Sequence, residues 1–312
     1  MPDPDRVRGP PPAPSRRPGG RRGSYAAPMA EPPSRIFVPE LLRDQVCVVS
    51  GAGTGLGRAT ALELTALGAT VIGCGRREEP LRSMVEDVKS RGGTAEQEAM
   101  DIRDDEAVDR LMDGVLERHC RIDLLVNNAG GQFLSPAEAI SPKGFRTVIE
   151  LNVQGTWQMT HAAATKAFIP QKGGKVVSIT VSPHQGFPGM VHTGAARAAV
   201  ENMMRTLSVE WARFGVRTVA VAVGQFDTET LRTKYPQAVV DNVAGTVPLG
   251  RLGTEEEMAW LVAYLASPAG DFYSGCVITI DGARDNWFGT WPPGGAADAG
   301  GEPLAEERRG DA

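Results

Sequence analysis

Cysteine and histidine are scarce in this chain, four of each among 312 residues, and neither type falls at a metal-binding spacing. Cys47, Cys74, Cys120 and Cys276 form no paired pattern, and three sit in apolar, strand-like surroundings, so they read as reduced core residues. His119, His161, His184 and His192 are equally dispersed, and the neighbours His119 and Cys120 have no second cluster to complete a tetrahedral site; no structural metal is expected. The N-terminal tail lacks a continuous apolar stretch, which argues against a signal peptide or membrane anchor there and leaves a cytoplasmic location as the expectation. An excess of positive charge is missing too. The formal net charge is -5, and the pairs Arg16-Arg17 and Arg21-Arg22 show no amphipathic periodicity, so nucleic acid is not an expected partner.

Apolar residues are thin at both ends. Met1 to Pro33 is rich in Pro, Gly and Arg, and Pro292 to Ala312 in Gly, Ala and charge, compositions that bury too little apolar surface to order a chain. Residues 1–33 and 292–312 are therefore expected as disordered tails around one folded domain at 34–291, a size that suits a single α/β unit. Met29 is a candidate second start of translation.

What is present is a glycine loop, Ser50-Gly-Ala-Gly-Thr-Gly-Leu-Gly-Arg58, set between an apolar run at 45–49 and a helical pattern at 59–67. Glycines let a ligand approach the main chain, and the free amides at a helix start attract phosphate, so the loop reads as a dinucleotide cradle. The strand-then-helix alternation continues. Strands are expected near 69–73, 95–100, 122–126, 174–180, 217–223 and 277–280, and helices at 79–89, 105–117, 144–169, 194–214 and 255–265. Such an order calls for a Rossmann-like, doubly wound parallel sheet with helices on both faces and a ligand site at the strand carboxyl ends.

Four signatures in sequence, Gly51/Gly55/Gly57, Asp101, Asn127-Asn128-Ala129-Gly130 and Asn152, resemble those of the short-chain dehydrogenase/reductase family over roughly Leu41 to Gly282. The resemblance implies a nicotinamide dinucleotide touching Gly51, Thr54, Gly55, Leu56 and Gly57, with Asp101 and Ile102 at the adenine and Asn128, Ala129 and Gly130 at the middle of the nucleotide. It also implies Gly224 and Thr228 near the carboxamide, and a homotetramer. At the end of the second strand, where an acid would bind the ribose hydroxyls of NAD, stand Gly75, Arg76 and Arg77. Two guanidinium groups there suit a ribose 2′-phosphate, so NADP(H) is the expected cofactor; the competing account is that these arginines pair with Glu78 or Glu79 on a solvated helix.

The family's Ser and Tyr-x-x-x-Lys are missing. Aligning Arg197-Ala-Ala-Val200 on the usual stretch puts Thr180 at the serine, Thr193 at the tyrosine and Arg197 at the lysine. Arginine can hold ribose hydroxyls but is a poor proton relay, and threonine is too weak an acid to replace tyrosine. Ketone reduction needs a proton delivered to oxygen, whereas reduction of an enoyl thioester needs fixed donors for a developing oxyanion. Asn152, Thr180 and Thr193 are the candidate donors or organisers, and the final proton is expected from water or from a nearby histidine, His184 or His192. The stretches at 130–138, 186–188 and 191–197 resemble the peroxisomal trans-2-enoyl-CoA reductases, a branch related to the 2,4-dienoyl-CoA reductases, although the chain ends Arg-Gly-Asp-Ala312 rather than in a Ser-Lys-Leu-like address. That resemblance implies an acyl-CoA substrate. Two other readings stay open: an alcohol or ketone dehydrogenase for a hydrophobic terpenoid, steroid or 3-hydroxyacyl substrate, and a non-catalytic nucleotide-binding scaffold. Lys234 and Tyr235 belong to a candidate lid, and the aromatic cluster at 287–291 reads as packing or subunit contact.

Overall fold

Six runs of mostly apolar residues and one polar edge run form seven parallel strands in a computed structural model that describes residues 36–234, 240 and 242–286. Residues 1–33 and 292–312, Tyr235 and the aromatic cluster at 287–291 lie outside the described residues. The strands are β1 (Val46–Ser50), β2 (Thr70–Gly75), β3 (Thr94–Ala99), β4 (Leu124–Asn127), β5 (Gly174–Val181), β6 (Val216–Val223) and β7 (Val277–Ile280). They pair in the order β3-β2-β1-β4-β5-β6-β7, with every neighbouring pair parallel. From β1 the chain winds outward through β2 and β3, then returns to the other side of β1 at β4. A crevice therefore opens between the carboxyl ends of β1 and β4, the place where open α/β sheets bind ligands.

Each strand alternates its side chains between two cores. In β1, Cys47 and Val49 join Leu64 of α1 (Gly55–Ala66), Leu81 and Met84 of α2 (Glu78–Ser90), and Met258 and Val262 of the last helix. Val46 and Val48 face the other way, toward Leu111 and Met112 of α3 (Asp105–His119) and Met159 and Phe168 of the long fourth helix. Period-two strands between period-3.6 helices leave no polar strand face, which is why β1 and β4 are buried along their whole length. The outermost strand β3, Thr-Ala-Glu-Gln-Glu-Ala, is half exposed and correspondingly polar.

The fourth helix, α4 (residues 142–171), begins two residues before the expected Gly144. Ser141 caps it, its hydroxyl accepting from Gly144 N at 3.0 Å, and Pro142 takes the first turn, where a missing N–H costs nothing. Two π-helical turns, Glu150–Gln154 and Ala164–Phe168, interrupt α4, and the first carries Asn152. Helix α5 (Val191–Glu210) starts three residues before the expected Gly194, which places His192 and Thr193 in its buried first turn. A short α6 (Glu229–Lys234) and α7 (Glu255–Ala266) complete the helices cited below.

Helix α7 begins with a reciprocal capping box: Glu257 N donates to Thr254 Oγ1 at 3.3 Å, and Thr254 N to Glu257 Oε2 at 2.8 Å. Arg251 also holds this carboxylate, at 2.7 and 2.8 Å, and with the Thr254 amide bond lowers its pKa to about 2. A depressed carboxylate stabilises the fold above its unfolded pKa, and the contribution is lost as pH falls through its folded value. Glu257→Gln is thus expected to lower the melting temperature at pH 7. Its difference from wild type should shrink as pH is taken from 5 toward 2, as followed by thermal circular dichroism; a difference constant with pH would refute the assignment.

Candidate active site

The crevice is closed at its base by main-chain contacts that require small residues. Gly51 has φ +70°, a left-handed conformation, and its N–H donates to Cys74 O at 2.7 Å. A Cβ on Gly57 would stand 2.3 Å from Gly51 O and 2.4 Å from Asn128 Nδ2, so the first turn of α1 can lie against the loop only as glycine. Ser50 and Asn128 bind the two strand ends together. The Ser50 hydroxyl accepts from Asn128 N and Ala129 N, each at 3.0 Å, while Asn128 Nδ2 donates to Ser50 O at 3.0 Å and Gly51 O at 3.3 Å. Thr54 caps α1 without a side-chain bond, leaving its hydroxyl and the first-turn amides of Gly55, Leu56 and Gly57 on the ligand side of the turn.

At the end of β2, Arg76 and Arg77 are exposed, and among the described residues neither forms an ion pair with Glu78 or Glu79. Gly75 has no side chain to oppose a phosphate, and a Cβ there would make only ordinary contact. Asp101 is held by Arg103 through bonds of 2.5 to 3.2 Å, which keep its carboxyl below the usual carboxylate range. The Ile102 side chain is buried against Gly155, where a Cβ would come within 2.7 Å of it.

Asn152 uses its π turn to reach across the crevice. Its Nδ2 donates to Gly131 O and to Val148 O, both at 2.8 Å, and its Oδ1 accepts from Gly131 N at 3.3 Å. Both amide protons are thereby spent on backbone, so Asn152 shapes the loop after β4 and has no further proton to offer. Thr180, the last fully buried residue of β5, likewise spends its proton, donating to Glu201 Oε1 at 3.0 Å.

Arg197 enters the same space from α5. Its Nη1 donates to Ile179 O at 2.9 Å, its buried Nε has no partner, and a Cβ on Gly130 would stand 2.5 Å from its Nη2 and 2.7 Å from Asn152 Oδ1. Burial lowers the guanidinium pKa to about 10, which still leaves it charged at neutral pH. Next to it in the fold, His192 and Thr193 are completely buried. His192 Nδ1 accepts from Thr193 N at 2.8 Å, which makes Nε2, a buried atom without a partner, the N–H of the ring. The Thr193 hydroxyl lies 3.2 Å from the same Nδ1, and the His192 ring meets Phe133 edge-on at 4.3 Å between centroids.

Two acidic residues that sequence reasoning overlooked complete the cluster. Glu201 is buried on α5 one turn beyond Arg197 and accepts from His184 Nε2 at 3.1 Å as well as from Thr180. Asp285, after β7, bonds His184 on its other side, accepting from the backbone N at 2.9 Å and pairing with Nδ1. The signal for Glu201 was its spacing from Thr193 and Arg197, which puts all three on one face of a helix. Nothing local marks Asp285. Gly224 abuts Asp281, where a Cβ would lie 2.4 Å from Asp281 Cβ, and Thr228 caps α6 by accepting from Leu231 N at 3.2 Å. A cavity of about 110 Å³ reaches this cluster at Asp281 and includes Phe226, Leu249 and Ile280; another of about 710 Å³ opens away from it, at the amino ends of the strands beside Gln45, Asp123 and Arg217. Among the described residues no group of His, Cys, Asp or Glu could hold a metal ion, and no helix is long and apolar enough to cross a membrane.

A seven-stranded parallel sheet with a glycine-lined switch point and a cation behind it is the frame of a nicotinamide-dependent oxidoreductase. The family model described as "Enoyl-(Acyl carrier protein) reductase" matches residues 51–283, and the chain belongs to the short-chain dehydrogenase/reductase family. It is 36% identical to the peroxisomal 2,4-dienoyl-CoA reductase of Pongo abelii, covering 79% of this chain and 86% of that one, and 35% identical to that of Danio rerio, covering 80% and 84%. Among solved structures it resembles the citronellol catabolism dehydrogenase AtuB of Pseudomonas aeruginosa PAO1, with 40% identity, a TM-score of 0.72, and coverage of 80% and 98%.

The cradle geometry is testable without knowing the substrate. Gly130→Ala should displace the Arg197 guanidinium and weaken nicotinamide cofactor binding about tenfold or more, roughly 1.4 kcal/mol. Gly173→Ala, where a Cβ would meet nothing within 4 Å, is the matched control. Equal affinities for the two variants in fluorescence titration would disprove the placement of Arg197 behind the cofactor.

Proposed function

We propose that the protein reduces the carbon-carbon double bond of an enoyl-CoA or dienoyl-CoA with NADPH. The observation that carries this reading is the composition of the site: Thr193 and Arg197 align with the tyrosine and lysine of a ketone reductase, and neither side chain is a phenol or an ammonium. NADPH, when bound, supplies the hydride. Arg197, with its unpartnered Nε, suits the hydroxyls of the nicotinamide ribose, and the exposed Arg76 and Arg77 suit a 2′-phosphate.

Hydride addition at the β-carbon moves negative charge onto the thioester oxygen. Donors fixed in a dry site stabilise that charge more than water does. The unpartnered Nε2 of His192 is the group of this chain suited to it, since the protons of Thr180 and Asn152 are already engaged and the Thr193 hydroxyl meets His192 Nδ1 at 3.2 Å. The acyl chain is given apolar surface by the loop after β4. Phe133, Leu134 and Val191 are exposed beside His192 and Thr193, and Leu134 packs over Gly189. Relatives named as 2,4-dienoyl-CoA reductases support the same substrate class.

A second reading rests on the structure related at 40% identity and named for citronellol catabolism, which supports a branched terpenoid substrate. We also propose the homotetramer implied by the family resemblance; subunit contact would cover apolar side chains such as Phe272 and Trp157, which the single chain leaves exposed.

Purified protein given NADPH and a medium-chain trans-2-enoyl-CoA should oxidise the cofactor and yield the saturated acyl-CoA. Turnover confined to alcohols or carbonyl compounds would sink the proposal, and tight NADPH binding without turnover on a broad panel would favour a scaffold. Replacing Arg76 and Arg77 together should raise KM for NADPH about tenfold or more while leaving KM for NADH little changed. Equal changes for both would contradict the 2′-phosphate assignment.

A further inference from the structure

A continuous chain of hydrogen bonds runs from the surface of the site to its interior. Asp285, after β7, meets His184, in the loop after β5, through both its backbone N–H and its ring Nδ1. His184 Nε2 meets Glu201 Oε1 at 3.1 Å, and the same oxygen accepts from Thr180 at 3.0 Å. His184 is the most exposed member, at 31% of its side chain against 16% for Asp285, and from it exposure falls inward to 5% for Glu201 and a fully buried Thr180. Three elements thus converge on one imidazole, and both of its nitrogens face carboxylate oxygens. Only the doubly protonated ring can donate to both at once.

The charged surroundings are few. Glu201 comes from α5 and Asp285 from the segment after β7, while Asp281 stands behind Asp285, accepting its N–H at 2.7 Å. Arg197, one turn from Glu201, is turned instead to Ile179 O. Burial opposes a charge on His184, but the hydrogen bond to Asp285 and the charges of Glu201 and Asp285 outweigh it and raise the ring's pKa above its ordinary 6.5.

We propose that Asp285 is a positioning residue for proton supply: it holds His184 doubly protonated against Glu201, making His184 the point at which the site draws its proton from water. The proposal rests on the double-bond reduction described above. That reaction adds a hydride, with its electron pair, at the β-carbon and one proton at the α-carbon, so each turnover consumes one proton. His184 releases its Nε2 proton to Glu201, Glu201 returns to carboxylate as that proton passes to the substrate α-carbon, and His184 regains one proton at Nε2 from water before the next turnover. Activity is then greatest while His184 is protonated and falls as pH rises through its pKa.

The same contact has a structural consequence of opposite pH dependence. A histidine whose folded pKa is raised stabilises the protein below its unfolded pKa, and that contribution disappears as pH rises through the folded value. A clasp that served stability alone would therefore be missed most at low pH. A clasp that serves proton supply is missed most at high pH.

The test is Asp285→Asn in the full-length protein, with NADPH and a trans-2-enoyl-CoA, following kcat from pH 5.5 to 9 alongside the His184 imidazole titration by NMR. The expected result is a His184 pKa lowered by about one unit and a kcat whose loss relative to wild type is about tenfold greater at pH 8 than at pH 6. Asp285→Glu, which keeps the carboxylate, should restore the wild-type profile and also serves if the Asn variant folds poorly. An unmoved imidazole pKa, or a kcat loss that is the same at every pH, would overturn the proposal. If wild type reduces no enoyl-CoA, the functional reading fails, and the titration alone then decides the clasp: a shift in the Asn variant upholds it and no shift overturns it.

Discussion

Arg197 carries a positive charge into the protein interior without a carboxylate beside it, and the arrangement of the surrounding elements follows from accommodating it. Its nitrogens find Ile179 O on β5, lie against Gly130 after β4, and approach the Asn152 amide in the π turn of α4. Moving such an ion out of water costs several kcal/mol even after relaxation, and one carbonyl bond does not offset that. The pKa falls only to about 10, so the charge remains. A fold that keeps an under-satisfied cation at the mouth of a glycine-lined crevice gives up stability there in favour of a ligand with oxygens to offer.

The two halves of the crevice are built by different means. Around β1 and β2 the cradle is mostly backbone: left-handed Gly51, the close approach of Gly57, and the Ser50 and Asn128 bonds that lock β1 to β4. That construction fixes the class of cofactor and says little about the reaction. Around β5 and α5 the surface is made of side chains whose protons can be counted. Thr180 and Asn152 have spent theirs, while His192 Nε2 and Arg197 Nε have not. The difference between spent and unspent donors, more than residue type, separates the groups that shape this site from those that can meet a substrate.

Much of the fold was legible because a strand buried on both faces leaves a simple trace: Val-Cys-Val-Val in β1 and Val-Ala-Val-Ala-Val in β6 alternate between two cores, and both sides demand apolar residues. Strand β3 left a fainter trace, being polar at the sheet edge. Helix starts were misjudged by two or three residues because Pro142 and His192 carry little helical signal and are placed by Ser141 and by tertiary burial. The π turns left no local trace; the one at Glu150–Gln154 carries Asn152, whose side chain bonds Gly131, 21 residues away. Glu201 was visible in principle, as an acid on the buried stripe of α5 with Arg197. Asp285 was not, because its meaning comes from a contact with His184 across 101 residues.

The Thr180–Glu201 contact also bears on which chemistry the site can support. Where a ketone reductase needs a hydroxyl donor beside a developing alkoxide, this chain has a buried threonine whose proton points at a carboxylate. An oxyanion forming there would be opposed by the Glu201 charge to the extent that His184 fails to balance it. The unspent donor lies instead on the first turn of α5, at His192 Nε2, beside the apolar rim of Phe133 and Leu134. An oxygen seated there leaves the Glu201 side free for a different task, moving a proton toward carbon. Loss of the tyrosine and lysine is therefore consistent with a division of labour in which one group of residues steadies the oxygen and another supplies the proton.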